Sequence, residues 1–551
     1  MSTLLSQPLP ITLTPLMVGY AAVAMLVLGP IALYLYLYPY TAFTLPFKNL
    51  RGPDPASGFF GSLFTVGSKP IGRRYMSLTK EYDASTVRFR GLIGRWRIAS
   101  TDITAISHVL RHTGQWHRNE GFNGLIARVT GFNVLCVEDE AHRRQRRILN
   151  SAFNGTSVNA MMPMFWEEAY DLKANVNKML KGDGDDTEID MLQVYIRTAM
   201  DIIGRAGFNY YFEKHKGKDG ENPLSKAFND MINGMFENKR LVIVQSIFPQ
   251  ALDMPTANAK RVAKSRAVLD GIARDIVNSR RAEIARDKIS LDKDSYEGKD
   301  VISLCLRANM SASERDRMTE AEIEGQIGAL MLAGNETSAT ALSWATLHLV
   351  QNPDIQAKLR EEVMSVPDDE PSLETLNSLP YLDRCVREVL RLDPPLPQVV
   401  RTAAVDCVVP LGKPVLGRDG KLMSEIHVSK GTDFIVPIND MNRDPRIWGD
   451  DADTFNPDRY DDASIPRTQL PSVWGGLLSF IGGPHHCLGF RFALLEIKAV
   501  LFVVVRNFEF APSGEKEFAR FSPSIIQRPV VVGQERKGMQ LPVMVRALSA
   551  E

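Results

Sequence analysis

The chain has little cysteine and no excess of charge of either sign. Five cysteines lie scattered at 136, 305, 385, 407 and 487 of 551 residues. Their number is odd and no Cys-x-x-Cys occurs. That argues against a disulfide framework, a zinc ribbon or a thioredoxin-like site, and it fits a reducing compartment. Basic and acidic residues balance at 65 each, which gives no support to a nucleic-acid partner. Internal repeats and low-complexity tracts are missing too, and no Gly/Ser/Pro-rich linker follows residue 60. Length alone suggests roughly three or four domains. The missing linkers favour one large domain, residues 61–551.

Charge is scarcest at the start, where no Asp, Glu, Lys or Arg precedes Lys48. Residues 16–38 are apolar enough to cross a bilayer, which takes about 20 residues. Tyrosines crowd the end of this run, as at a membrane interface, and Lys48 and Arg51 follow. The positive-inside rule then puts the body in the cytosol. A cleaved signal peptide is the competing reading, but a basic leading region and a small-residue cleavage site are lacking. Pro30 kinks such a helix without forbidding it. Residues 1–47 are therefore read as an anchor region, and 48–60, with Leu50-Arg-Gly-Pro-Asp-Pro, as a stiff hinge.

The rest reads as mainly α with minor β sheet. Helical patterns dominate from about 100 to 395, broken by polar stretches at Glu213–Pro223 and Lys288–Lys299. Strands are predicted at Thr86–Phe89, Arg97–Ala99, Val399–Ala404, Cys407–Val409 and Asp433–Pro437, with a final pair at Val530–Gly533 and Gln540–Val545.

Phe480 to Gly489 reads Phe-Ile-Gly-Gly-Pro-His-His-Cys-Leu-Gly and leads into an apolar helix pattern, Phe490 to Val505. A lone cysteine in a glycine-rich turn is often a small buried hydrophobe. A thiolate, however, is a strong axial ligand for haem iron and favours O–O cleavage. Glycines at 482, 483 and 489 let the backbone pass close to a flat macrocycle and aim N–H groups at the sulfur. The pattern Phe-x-x-Gly-x-(Arg/His)-x-Cys-x-Gly resembles the haem-binding signature of the cytochrome P-450 family, the haem-thiolate monooxygenases. The resemblance implies Cys487 as the ligand of haem b, with Phe480 beside it. His485 stands where that family more often has Arg, so a propionate contact there would titrate near neutrality.

Residues 327–350 form a second apolar run with Glu336 as its one ionised group. It is either another membrane span or a helix through a core. The polar centre Asn335-Glu336-Thr337-Ser338 argues against lipid. On a helix Gly334 and Thr337 share a face, where glycine leaves room for a ligand and hydroxyl and carboxylate can relay protons. Thr337 can also bond back to its own helix. Ala333-Gly334-x-Glu336-Thr337-Ser338 is similar to the same family's oxygen-activation motif, which implies catalytic roles for Thr337, Glu336 and Gly334.

Glu388 and Arg391 are three apart and can pair, usually as a weak surface contact. Phe455-Asn-Pro-Asp-Arg459-Tyr460 follows, and this order resembles the family's buried Glu-Arg-Arg cluster. Ala141-His-Arg-Arg-Gln-Arg-Arg147 resembles its Trp-x-x-x-Arg helix, with His142 for Trp and Arg146 carried over. Arg401 matches a third propionate position, since arginine's fork suits carboxylates. Arg143, Arg144 and Arg147 are expected to face outward, as a solvated face or as a basic patch that docks an acidic flavoprotein reductase.

The resemblance spans residues 50–545 and implies a microsomal enzyme of the endoplasmic reticulum membrane, with an impression of fungal secondary metabolism. It implies that NADPH supplies electrons through a reductase and that one atom of O2 enters a C–H bond. The implied pocket is apolar: Phe122, Leu125, Ile126, Gly328, Ala329, Leu332, Ala333, Pro397, Val399, Val400, Ile525 and Ile526. A terpenoid or sterol-like substrate suits it. Two alternatives stand beside this. A reductase-independent isomerase or dehydratase would not need NADPH and O2, and a haem sensor would bind partners without turnover. Asn154, Asn309 and Asn335 each begin an Asn-x-Ser/Thr triplet. With the body in the cytosol all three stay unmodified. Glycosidase treatment leaves the mobility of the membrane-bound protein unchanged, and a shift traced to Asn154 or Asn309 would reverse the topology.

Overall fold

The computed structural model describes residues 15–182, 185–215, 222–236, 256–286, 299–461, 470–522 and 525–548. Its axis is the 32-residue helix Glu320–Gln351, about 48 Å long at 1.5 Å per residue. A capping box starts it: Thr319 accepts from the Glu322 N–H while the Glu322 carboxylate accepts from Thr319 N. Residues 338–350 are all buried, so this apolar run is a core helix, as its all-round hydrophobicity requires once neighbours surround it. Helices Met191–Phe208, Pro380–Leu392, Phe490–Asn507 and Glu120–Thr130 pack around it. Three of its glycines admit these neighbours. A Cβ at Gly334 would stand 2.7 Å from Ile203, at Gly328 2.9 Å from Thr130 O, and at Gly325 2.6 Å from Phe132 O. The room expected at Gly334 for a ligand is thus taken up by Ile203.

A five-stranded sheet lies to one side, in the order Thr86–Arg90, Trp96–Ser100, Asp433–Val436, Val399–Ala403, Trp116–Arg118. Trp96–Ser100 runs parallel to Asp433–Val436, and the other pairs are antiparallel. Cys407–Leu416 and Leu422–Val428 form a separate hairpin. The predicted final pair does not form. Arg528–Val531 pairs with Phe518–Phe521, and Pro542–Ala547 lies between Thr187–Asp190 and Phe508–Pro512. Local patterning cannot find the partners of Pro542–Ala547, because both are distant in sequence. Most of the two predicted polar breaks, 216–221 and 288–298, lies outside the described residues.

Helix Pro15–Leu35 continues through a π turn, Tyr36–Tyr40, into Thr41–Thr44. The turn contains Pro39, which has no N–H to donate, and Thr41 N bonds five residues back to Tyr36 O. Residues 25–44 are long and apolar enough to cross a membrane, with mean hydropathy 1.4. The segment after it is docked, unlike a free hinge. Phe47 and Leu50 are fully buried, and Arg88 N donates to Arg51 O at 2.9 Å. Arg90 stacks over the Tyr38 ring at 4.7 Å.

Helix Pro380–Leu392 holds the strongest polar fixture. Glu388 accepts from Arg391 Nε and Nη2, both at 2.8 Å, and from Arg459 Nε at 2.8 Å. The backbone N–H of Asn456 adds a fourth bond at 3.0 Å. Arg391 goes on to the carbonyls of Asn442 and Ala452, and Arg459 to Trp448 O and the Asp451 carboxylate. Burial disfavours an ionised Glu388, yet the two guanidiniums outweigh it and hold its carboxyl below the ordinary carboxylate value. Its stabilising share is therefore present above the usual carboxylate range and is lost as pH falls through the depressed folded value. Removing one partner strands buried charge. Glu388→Ala and Arg391→Ala are each expected to cost about 3–5 kcal/mol, read by chemical denaturation. A loss below 1 kcal/mol would show that the cluster is dispensable.

Candidate active site

The central helix, helix Glu120–Thr130, strand Val399–Ala403, segment 478–493 and residues 525–526 enclose a cavity of about 1000 Å³. Cys487 lies on its wall, half-buried. The loop that presents it is folded tightly. Cys487 N donates to Phe480 O at 2.9 Å and His486 N to Gly483 O at 3.1 Å. Ile481 has φ 57° and Gly483 φ 74°. A side chain at Gly482 would run into the Pro471 carbonyl, and one at Gly483 into Leu110 O. These two glycines thus serve close backbone packing, not passage beside a flat ligand. Gly489 directs its N–H at the Cys487 sulfur. Burial pushes the Cys487 thiol up, opposed by this N–H and by Arg146.

From the predicted pocket, Phe122, Ile126, Ala329, Leu332 and Ala333 line the cavity, as do Pro397, Val399, Val400, Ile525 and Ile526, and the catalytic candidate Gly334 joins them. Leu125 and Gly328 do not. Leu125 turns onto the core, and Gly328 meets Thr130. Thr337 reaches the cavity, its Oγ1 donating to Ala333 O at 2.6 Å. Its oxygen keeps acceptor capacity there. Glu336 is not on the wall; its carboxylate is bonded to Arg528.

Cations gather at one end. His142, Arg146, Arg401 and His485 line the cavity with Phe480 and with Arg118, which the sequence reading missed. Arg146 Nη1 donates to His486 O at 2.7 Å, and its buried Nη2 has no partner. Buried His485 Nδ1 is likewise unpartnered, while its Nε2 lies 3.2 Å from Glu138. Arg401 is buried and bonds Val400 O. Burial, with Arg118 nearby, lowers it to about 10. Burial also lowers His142, to about 3, and His485. Both rings are therefore neutral at pH 7, and the expected titration of His485 near neutrality moves to lower pH; His485 spends its one N–H at Nε2 on Glu138, which leaves Nδ1 a bare acceptor. Glu138 is the carboxylate that meets both Arg118 and His485.

The buried guanidiniums of Arg146 and Arg401 and the unpartnered Arg146 Nη2 call for added anionic groups. A flat ligand with two carboxylates, seated against Cys487, fits this donor set.

The neighbouring arginines are less free than expected. Arg144 is half-buried and bonded to Glu322 and Arg317 O. Arg143 and Arg147 are exposed but paired with Glu140 and Asp316. Sequence reasoning also missed Glu496, whose signal was a carboxylate inside an apolar helix. Ser338 donates to it at 2.5 Å, and burial pushes it up to about 8. It is a carboxylic acid kept neutral at pH 7. Arg118 sits in a three-residue strand, Trp116–Arg118, too short for a periodic signal.

A family model described as Cytochrome P450 matches residues 51–534. Cytochrome P450 monooxygenase 205 of Postia placenta is 31% identical over 533 residues, 96% of this chain and 97% of that protein. Cytochrome P450 monooxygenase claO of Ampulloclitocybe clavipes is 35% identical over 509 residues, 90% of this chain and 93% of that protein.

Proposed function

The chain belongs to the cytochrome P450 family and is a monooxygenase of it; we propose that it oxidises a C–H bond of a lipophilic small molecule, terpenoid or sterol-like, in fungal secondary metabolism. The apolar wall from Phe122 to Ile526, continuous with Cys487, carries this reading. The fungal origin of its relatives supports the metabolic setting. Electrons come from NADPH through a flavoprotein reductase, for which exposed Arg143 and Arg147 offer the docking face. The apolar helix over 25–44 supports a single membrane anchor in the endoplasmic reticulum, with the body in the cytosol.

When bound, haem b supplies dioxygen activation with two electrons, one oxygen atom entering the substrate and the other leaving as water. The protein's own groups do the rest. Cys487 provides the thiolate, and the Gly489 N–H tempers its charge. Arg146, Arg401 and His142 would hold the two propionates, and His485 and Phe480 would complete that part of the seat. Thr337 holds a proton at Oγ1, on the cavity side of Gly334, and Glu336 acts as the acid behind it. The neighbouring residues at 329, 332 and 333 exclude water and orient the substrate.

The reduced protein with carbon monoxide is expected to give a strongly red-shifted Soret band that Cys487→Ala abolishes. A well-folded wild type without that band would remove the haem-thiolate reading. Thr337→Ala is expected to cut product per NADPH about 10-fold or more, the difference appearing as peroxide. The substrate for this comparison is taken from lipophilic candidates that shift the Soret band. Unchanged coupling would take Thr337 out of the proton path.

A further inference from the structure

Arg118, Arg146 and Arg401 are not the only arginines on the cavity wall. Arg74, Arg95 and Arg97 line it too, and they come from a different part of the chain. Arg74 opens the helix Arg74–Glu81, Arg97 stands on the strand Trp96–Ser100, and Arg95 just precedes that strand. Apolar wall adjoins them: Leu33 and Leu37 from the end of the N-terminal helix, with Leu92 and Ile93.

Tyr75 locates two of these guanidiniums together. Its hydroxyl is buried and donates to Gln398 Oε1 at 2.8 Å, and Gln398 lines the cavity. Burial pushes that hydroxyl up to about 12, and Arg74 and Arg97 both oppose the shift, so both charges lie close to it. Neither guanidinium is fully spent. Arg74 Nε is buried with no hydrogen-bond partner. Arg97 Nε stands 3.3 Å from Asp433 Oδ2 but is aligned too poorly for a hydrogen bond. Asp433 is shared besides, its Oδ1 accepting from Thr402 Oγ1 at 2.8 Å and from Asn119 Nδ2 at 3.2 Å.

Among the described residues, Asp433 and Asp440 are the acids that line the cavity. Asp440 Oδ1 accepts from the N–H groups of Tyr75 and Met76 at 2.7 and 2.8 Å. Burial raises it to about 6, against these bonds and against Arg74 and Arg73. Arg73 itself is bonded to Asp453. Three guanidiniums thus face two carboxylates, which leaves one positive charge over when both acids are ionised. A neutral lipophile laid along this wall would cover buried donors without pairing them, which is unfavourable. One carboxylate balances the surplus and accepts from guanidinium forks. A dianion would overshoot it and meet both acids.

We propose that Arg74 and Arg97, with exposed Arg95 beside them, bind the carboxylate of an amphipathic acid whose lipophilic body lies along the apolar wall of the cavity. This names the substrate class of the site read above and rests on that reading. The substrate is then a terpenoid or sterol-like acid, held by its charged end while its hydrocarbon part is presented for oxidation.

The test uses full-length, haem-loaded protein in phosphatidylcholine nanodiscs at pH 7. The probes are abietic acid, lithocholic acid and palmitic acid, each beside its methyl ester. Equilibrium dialysis gives Kd, and the Soret shift shows which probes reach the haem. At least one acid is expected to bind and to shift the band. Arg74→Gln and Arg97→Gln are each expected to weaken that acid about 10-fold or more, and its ester less than about 2-fold. Arg74→Lys, which keeps the charge, is expected to retain most of the acid's affinity. Arg74→Gln decides alone if Arg97→Gln does not fold. Acid and ester weakened alike, or an acid left unweakened, overturns the proposal, as does a failure of every acid to bind. A variant that folds but loses its haem would put that arginine on the prosthetic group and overturn it too. Esters that shift the band while no acid depends on Arg74 leave the lipophilic-substrate reading standing and remove the carboxylate site. No shift with any probe, in protein that gives the carbon monoxide band, overturns both.

Discussion

A carboxylate buried between two guanidiniums sets the position of the cysteine loop. Glu388 fixes Arg391 and Arg459, and Arg391 grips the carbonyls of Asn442 and Ala452. Asn442 then turns its side chain to the cysteine segment, accepting from Leu478 N at 3.0 Å and donating to Ser479 Oγ at 2.9 Å. Ser479 closes the path by donating to Leu390 O on the helix that carries Glu388. Phe480 follows, and its carbonyl holds Cys487 N. Burying this much charge is tolerable because nearly every donor and acceptor is satisfied. It yields a rigid frame for a loop whose conformation includes a non-glycine residue, Ile481, at positive φ.

The cavity is built on a contrast. Its wall beside Thr337 is aliphatic and aromatic, and its far end is cationic with unpartnered donors. An apolar wall binds without orienting, while orphaned buried donors bind one kind of group in one pose. The two ends therefore differ in what they suit: the cations an anionic group, the apolar wall a lipophilic one. Glu496 adds an acid close to Ser338 whose neutral form burial favours, and Glu336 a carboxylate facing Arg528. Two carboxyls thus meet neighbouring positions of the central helix in opposite settings, one buried on Ser338 from the helix Phe490–Asn507 and one paired with a guanidinium.

Much of this was legible in the sequence because the chemistry is concentrated in short, ordered motifs. The cysteine loop, the polar break in the apolar helix and the Glu388–Arg391 spacing each fall within about ten residues. The mainly helical fold with minor sheet was readable for the same reason, through periodicity. What escaped depends on partners distant in sequence. Leu125 and Gly328 were apolar or small at plausible places, yet their side of the helix faces other segments. Gly482 and Gly483 are required by the carbonyls of Pro471 and Leu110, which no local pattern reveals. The docking of 47–51 on strand Thr86–Arg90 looked like a hinge because proline and glycine signal a bend without saying what lies against it. Arg528 is 192 residues from Glu336, and nothing in Gln-Arg-Pro-Val announces an ion pair.

The end of the apolar N-terminal helix is part of the vessel. Leu33 and Leu37 line the same cavity as Cys487, and Gly94 admits the Leu37 carbonyl so closely that no larger residue fits. Shortening the chain to gain solubility would therefore open one wall of the cavity to water and unstack Arg90 from Tyr38. Ligand affinities taken on such a truncated protein would describe a differently shaped container from the one the full chain forms.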